Sequence, residues 1–237
     1  MQTPESAIVF GVGPGLGWAL VKRFAADNMR VTAVARDKAK LDALVKSAEH
    51  RDTIRTFAAD VSRIEDISRV FDSVDSESGA PDVVVFNAGA FQKGSILDID
   101  PAEFERCWRI GCLGGFLVGQ AAARRMVARG HGTIIFSGAT AALRGSAGFA
   151  NLAVPKFGLR ALGQSMAREL GPRGIHVAFA IIDGQIDSER YRHLIKERGA
   201  DSLLAPDAIA ETYLQLHRQP RSAWTQEVDL RPWSEKF

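Results

Sequence analysis

The sequence predicts one α/β domain of 237 residues, a doubly wound parallel β-sheet with helices on both faces. Three observations predict it. Five short apolar runs recur without the polar alternation of a half-exposed strand, and segments of helical length and period separate them. The chain is also 46% apolar, enough at this length to bury one substantial core. Strand alternating with helix implies right-handed crossovers, and so a parallel sheet covered on both sides.

The elements follow in order. AIVF, Ala7 to Phe10, leads into GVGPGLG and a helical stretch from Gly17 (GWALVKRFAADN). VTAVA, Val31 to Ala35, precedes a second helical stretch from Asp37, a residue suited to cap it. A weaker strand candidate, Thr53 to Ala59, comes before Asp60 and Val61, and VVVF, Val83 to Phe86, ends in Asn87-Ala88-Gly89. A long helix is expected around Phe104 to Arg129, then the strand TIIF (Thr133 to Phe136), a helix over Phe157 to Leu170 and the strand VAFAII (Val177 to Ile182). The densely charged segment 184–204 falls beside the crevice where open α/β sheets bind ligands, and reads either as a substrate lid or as a solvated helical insertion. The final SAWTQEVDLRPWSEKF reads as an edge strand and tail that pack on a neighbouring subunit or cover the chain's own core. No repeat, linker or low-complexity tract interrupts the pattern.

Composition excludes several classes. Thirty basic against 28 acidic side chains leave a net charge of +2, no general reason to expect nucleic acid or an acidic membrane as partner. No stretch reaches the roughly 20 apolar residues of a membrane helix, and MQTPESAIVF lacks the basic-then-apolar pattern of a targeting signal, so a cytoplasmic protein is expected. Cys107 and Cys112 form neither a CxxC motif nor a disulfide framework and are expected as core or groove thiols. The five histidines are dispersed, so no metal is expected, and no GxSxG elbow accompanies a strand.

The first candidate site is the glycine run. Gly11, Gly13, Gly15, Leu16 and Gly17 follow the first strand and enter a helix, where glycine permits a tight turn and close backbone approach, and the helix N-terminus offers N–H groups to a diphosphate. Methyltransferases begin in the same way, and some glycine turns are only structural.

Further motifs carry a family resemblance. The spacing of Gly11, Gly15 and Gly17 is similar to the TGxxxGxG loop of short-chain dehydrogenases/reductases. FAADV places Asp60 and Val61 where that family contacts adenine, and FNAG resembles its NNAG motif through Asn87, Ala88 and Gly89, although an Asn-Ala-Gly turn by itself can simply end a strand. Lys156 falls on the lysine of the family's YxxxK helix, and the resemblance covers about residues 5 to 217. It implies a Rossmann-type fold, a nicotinamide dinucleotide, an unidentified small-molecule substrate, and a homodimer or homotetramer paired through the helices around 104–129 and 157–170. A methyltransferase would not require Asp60, Asn87 and Lys156 in this register and is the remotest alternative.

The end of the second strand selects the dinucleotide. An acidic side chain there would bond the adenosine ribose and repel a 2′-phosphate. The resemblance places that acid at Ala35, and the adjacent Arg36 suits a phosphate, which favours NADP(H) over NAD(H). Asp37 is the competing feature, as ribose contact or as helix cap.

The catalytic positions are depleted. In the family a tyrosine is the general acid/base, a lysine four residues later lowers its pKa, a serine orients the substrate oxygen and an asparagine supports the lysine. Here the resemblance places Leu152 at the tyrosine, Ala139 at the serine, unless a two-residue slip brings Ser137 there, and Gly111 at the asparagine. Lys156 and Ser137 are therefore the candidate catalytic residues, Lys156 reading otherwise as a surface lysine at a helix start because Pro155 precedes it. Asp183, in a tight Asp-Gly turn, and Tyr191, in the charged segment, are further possible proton donors. Two functions follow: an NADP(H)-dependent oxidoreductase acting on a small carbonyl or alcohol, or a dinucleotide-binding sensor, scaffold or inactive subunit.

Overall fold

The central strand runs are apolar because each of those strands is covered on both faces. Ala7 and Val9 enter the core on one side of the sheet, while Ile8 and Phe10 enter it on the other; Val83 and Val85 alternate in the same way with Val84 and Phe86. The structure, a computed structural model, describes residues 4–235. Its elements are β1 (Ser6–Phe10), α1 (Leu16–Ala26), β2 (Arg30–Ala35), α2 (Lys38–Lys46), β3 (Ile54–Ala58), α3 (Ile64–Ser78), β4 (Val83–Phe86), α4 (Pro101–Trp108), α5 (Gly114–Arg129), β5 (Gly132–Ser137), α6 (Ala150–Leu170), β6 (Ile175–Ile182), α7 (His193–Arg198), α8 (Pro206–His217) and β7 (Glu227–Leu230).

The seven strands run parallel in the order β3-β2-β1-β4-β5-β6-β7. The chain winds outward from β1 to β3, returns to β4 on the other side of β1, and winds outward again. That reversal opens a crevice above the carboxyl ends of β1 and β4. Leu20, Phe24 and Tyr213 of α1 and α8 fill one layer, and Phe71, Val118 and Leu159 of α3, α5 and α6 fill the other with Phe86, Phe136 and Phe179. Each fully buried phenylalanine contributes roughly 2–3 kcal/mol of transfer free energy.

Two helices differ from the sequence expectation. The stretch expected as one helix breaks into α4 and α5 around a π-helical turn, Arg109–Leu113, with Gly111 at its centre. A Cβ on Gly111 would lie 3.0 Å from Pro155 Cβ, so this turn packs closely on α6. Helix α6 starts at Ala150, seven residues before the expected Phe157, which places Pro155 inside the helix rather than at its start. The C-terminal strand completes the chain's own sheet: β7 pairs with β6, Phe179 opposite Glu227 through Ile182 opposite Leu230. Trp224 stacks on His176 with centroids 4.9 Å apart, whereas Trp233 is exposed.

The charged segment 184–204 closes on itself. Asp187 N donates to Leu204 O and Leu204 N to Gln185 O, both at 2.8–2.9 Å, with α7 between. No helix among the described residues is long and apolar enough to cross a membrane.

Candidate functional site

The glycines of the first turn divide by what surrounds them. Gly11 has φ +85°, and a Cβ there would meet Ala88 N at 2.5 Å; the ends of β1 and β4 touch, and only glycine fits. Asn87 fastens the contact, its Nδ2 donating to Gly11 O at 3.1 Å. A Cβ on Gly17 would strike Gly11 O at 2.7 Å, so Gly17 serves the packing of α1 against the turn. Gly13 and Gly15, by contrast, have nothing within 4 Å of a built Cβ. Open backbone at these two positions sits beside a helix start with no side-chain cap and no acidic residue in its first turn. The free N–H groups and the positive end of the helix dipole are uncompensated there, which suits an anion.

A cleft of about 260 Å³ lies against this turn, at the ends of β1 to β4. Gly11, Gly13, Arg36, Asp60, Val61, Asn87, Ala88 and Gly89 line it. Gly15, Leu16 and Gly17 do not, and the Leu16 side chain is buried in the core beneath α1, leaving only its backbone toward the turn. Ile110, from the π-helical turn, also lines the cleft; nothing in the local sequence distinguishes it from any other apolar helix residue. Asp60 Oδ1 accepts from Ser62 N at 2.9 Å and Ser62 Oγ at 2.7 Å, while Asp60 N donates to Asp66 Oδ2 at 2.8 Å, so the loop holds a fixed shape. Asp37 caps α2: its Oδ1 accepts from Lys40 N at 3.1 Å and its carboxylate pairs with Lys40 Nζ at 3.3 Å, both holding its pKa below the usual range. Arg36 is exposed at the cleft edge and forms no ion pair among the described residues.

The two candidate catalytic residues meet, but not by their side chains. Lys156 is buried, 8% exposed, and Nζ donates to the backbone carbonyl of Ser137 at 2.6 Å. Burial pushes its ammonium down to about 8, with no carboxylate to oppose it. The reading of Lys156 as a surface lysine at a helix start is thereby corrected, because α6 begins at Ala150, before Pro155. The Ser137 hydroxyl points into the other layer, 2.9 Å from the hydroxyl of Tyr213 on α8. Tyr213 is fully buried, which raises its phenol above the usual range. The sequence carried no sign of this pair, which joins residues 76 apart.

A second cleft, of about 570 Å³, lies beyond the ends of β5 and β6. Ala139 and Leu152, where the resemblance would place the family's serine and tyrosine, both line it. At these two positions the wall offers an alanine methyl and a leucine. Asp183 lies buried beneath it and is engaged: Thr140 Oγ1 donates to Oδ1 at 2.5 Å, and Arg231 pairs with Oδ2 at 3.1 Å. Tyr191 lines the same cleft. Asn151, beside Leu152, is 1% exposed, and neither of its side-chain polar atoms finds a partner among the described residues.

The fold and the glycine turn define a Rossmann-type α/β protein of the nucleotide-binding kind. The short chain dehydrogenase family model matches residues 5–199. A short-chain dehydrogenase/reductase of Armillaria gallica is 34% identical over 193 residues, 79% of this chain and 73% of its own. The 3-oxoacyl-(acyl-carrier-protein) reductase MabA of Mycobacterium avium is 29% identical over 199 residues, 84% of this chain and 74% of its own. The crystal structure of a short-chain dehydrogenase from Rhodopseudomonas palustris superposes with a TM-score of 0.84 at 37% identity, covering 98% of this chain and 100% of that one. A metagenomic short-chain oxidoreductase in complex with NADP superposes with a TM-score of 0.81 at 26% identity, covering 98% of each chain. This chain belongs to the short-chain dehydrogenase/reductase family, whose members bind a nicotinamide dinucleotide. The methyltransferase alternative loses its support.

Proposed function

We propose that the first cleft holds NADP(H) and that the second presents a small substrate or ligand to its nicotinamide. Gly13, Gly15 and the N–H groups from Leu16 and Gly17 would take the pyrophosphate; Asp60 and Val61, the adenine side; Asn87, Ala88, Gly89 and Lys156, the nicotinamide ribose side. The bound dinucleotide would supply the hydride chemistry. One observation carries the NADP(H) choice: at the end of β2 the only acid, Asp37, is spent capping α2, while Ala35 leaves a neutral gap and Arg36 stands unpaired at the cleft. Tryptophan fluorescence titration is expected to show tighter binding of NADPH than NADH, with Arg36→Ala removing most of the difference. Equal affinities in the unmodified protein would return NAD(H) as the cofactor.

Turnover is a separate question, and Leu152, Ala139 and Gly111 favour a second reading: a dinucleotide-binding sensor, scaffold or inactive subunit without redox turnover. As an oxidoreductase on a small carbonyl or alcohol, the chain would draw its proton from water or from Tyr191, since the Ser137 hydroxyl and Asp183 are bonded elsewhere. Lys156 would then act on the ribose and on the charge of the site, held in place by the Ser137 carbonyl. Loss of an acid/base costs about 10²- to 10⁴-fold, so slow turnover is compatible with the site. A carbonyl panel followed at the nicotinamide absorbance band tests it: the double variant Leu152→Tyr/Ala139→Ser is expected to gain at least tenfold over the unmodified chain. No gain in a variant that still binds NADPH would favour the non-catalytic reading. We place the protein in the cytoplasm, as a homodimer or homotetramer.

A further inference from the structure

The walls of the second cleft carry an unusual charge. Lys93 reaches it from the loop after β4, Arg144 from the loop after β5, and Arg190 and Arg198 from the segment after β6. Glu235 is the single carboxylate lining it among the described residues. A chain whose 30 basic and 28 acidic side chains nearly balance has thus gathered four cations from three separate loops around one cavity. None of the four is in an ion pair among the described residues. The Lys93 ammonium sits 5.8 Å from the centroid of the Phe149 ring, the Arg190 guanidinium 5.3 Å from that of Tyr191, and Arg198 Nη1 donates to Gln185 Oε1 at 2.7 Å. Asp187 pairs with Arg192 at 3.7 Å and Asp183 with Arg231 at 3.1 Å, while Glu189 and Glu197, beside Arg190 and Arg198 in sequence, are exposed and do not line the cavity. Four exposed cations against one carboxylate leave the cavity with a net positive field, which favours an anion entering it.

The same cavity has an apolar ledge. Phe91 and Phe149 stack with ring centroids 4.9 Å apart and planes 14° from parallel, and Leu152 joins them in the wall. The leucine that removes the family's phenol also extends this apolar surface.

We infer that the second cleft binds a small organic anion, a carboxylate or phosphate on a flat or apolar body, with the anion among Arg144, Arg190, Arg198 and Lys93 and the body on the Phe91–Phe149 ledge. The inference rests on the reading of this cleft as the ligand side of the dinucleotide site and names the ligand class. Arginine suits both head groups because its planar fork donates two parallel hydrogen bonds to either.

Isothermal titration of the full chain, with and without NADPH, tests this using benzoate, phenyl phosphate, benzamide and inorganic phosphate. Benzoate, phenyl phosphate or both are expected to bind at least tenfold more tightly than neutral benzamide, which has the same shape as benzoate, and to weaken as salt rises. Preference for one of the two tells carboxylate from phosphate. Arg144→Ala and Arg190→Ala are each expected to lose about tenfold in anion affinity, the size of one charge-assisted pair, while an unchanged thermal midpoint shows the variants folded. Benzamide binding as well as benzoate, or no saturable binding of either anion, overturns the inference. Inorganic phosphate binding as tightly as phenyl phosphate overturns it too, because the ledge then contributes nothing. NADPH affinity, measured on the same samples, separates the two readings: anions failing while NADPH binds removes only this inference, and NADPH failing while anions bind removes only the cofactor assignment.

Discussion

A lysine ammonium buried with only a carbonyl for company is costly near neutral pH. Lys156 has a pKa of about 8 in the fold against 10.5 for an ordinary lysine, so between those values the unfolded chain holds a proton that the folded one lacks. Stability from this group therefore rises with pH from 8 to 10.5, and below pH 8 its full cost is present. At about 1.4 kcal/mol per pKa unit that cost is about 3 kcal/mol. Lys156→Met is expected to raise stability at pH 7 by about 1–3 kcal/mol, the lower end reflecting the lost bond to the Ser137 carbonyl, and to flatten the rise above pH 8. Urea denaturation at pH 7, 8 and 9.5 reads both, and an unaltered pH slope would mean that the ammonium is solvated or paired. The placement of Lys156 on a helix was legible in the sequence. Its burial was not, because Pro155 reads as a helix start and lies within α6.

At the scale of elements, α6 and the π-helical turn before α5 pack directly on each other. The family resemblance places an asparagine at Gly111, yet a Cβ there would lie 3.0 Å from Pro155 Cβ. Pro155 also lacks the N–H that would bond the Asn151 carbonyl one turn back, and a proline within a helix costs about 3 kcal/mol. Gly111→Asn alone is expected to lower stability by about 1–3 kcal/mol through overpacking. In a Pro155→Gly background, which restores the helix N–H and removes the Cβ in contact, the same change is expected to cost less than half as much. Thermal midpoints of the two single variants and the double variant measure the coupling; additive effects would show that the contact is slack. π-helical turns of this kind gather at functional sites, and this one delivers Ile110 to the first cleft. No periodicity marks a π-turn in a sequence, since one extra residue in an otherwise helical stretch disturbs the apolar pattern too little to see. The expectation of one unbroken helix missed it for that reason.

For the molecule as a whole, the helices α4, α5 and α6 leave Trp108, Phe116, Val154 and Phe157 exposed. Large apolar side chains left in water on helices that pack together suit a subunit interface better than a free surface. Sedimentation is expected to show a dimer or tetramer, and Phe157→Glu, which buries a charge in such an interface, is expected to shift it toward monomer. A wild-type monomer at micromolar concentration would remove this expectation. The amino-acid sequence determined the parallel sheet and the glycine turn after its first strand, since each depends only on residue identity and on spacing along the chain. Tertiary structure decided the rest. The Ser137 hydroxyl turns toward Tyr213 because strand pleating sends that side chain into the α8 layer, and Lys93, Arg144, Arg190 and Arg198 line one cavity because parallel pairing of β4, β5 and β6 brings the segments that follow them to the same end of the sheet. Distances between residues scores of positions apart are set by how helices and sheet pack, and nothing local in a sequence records them.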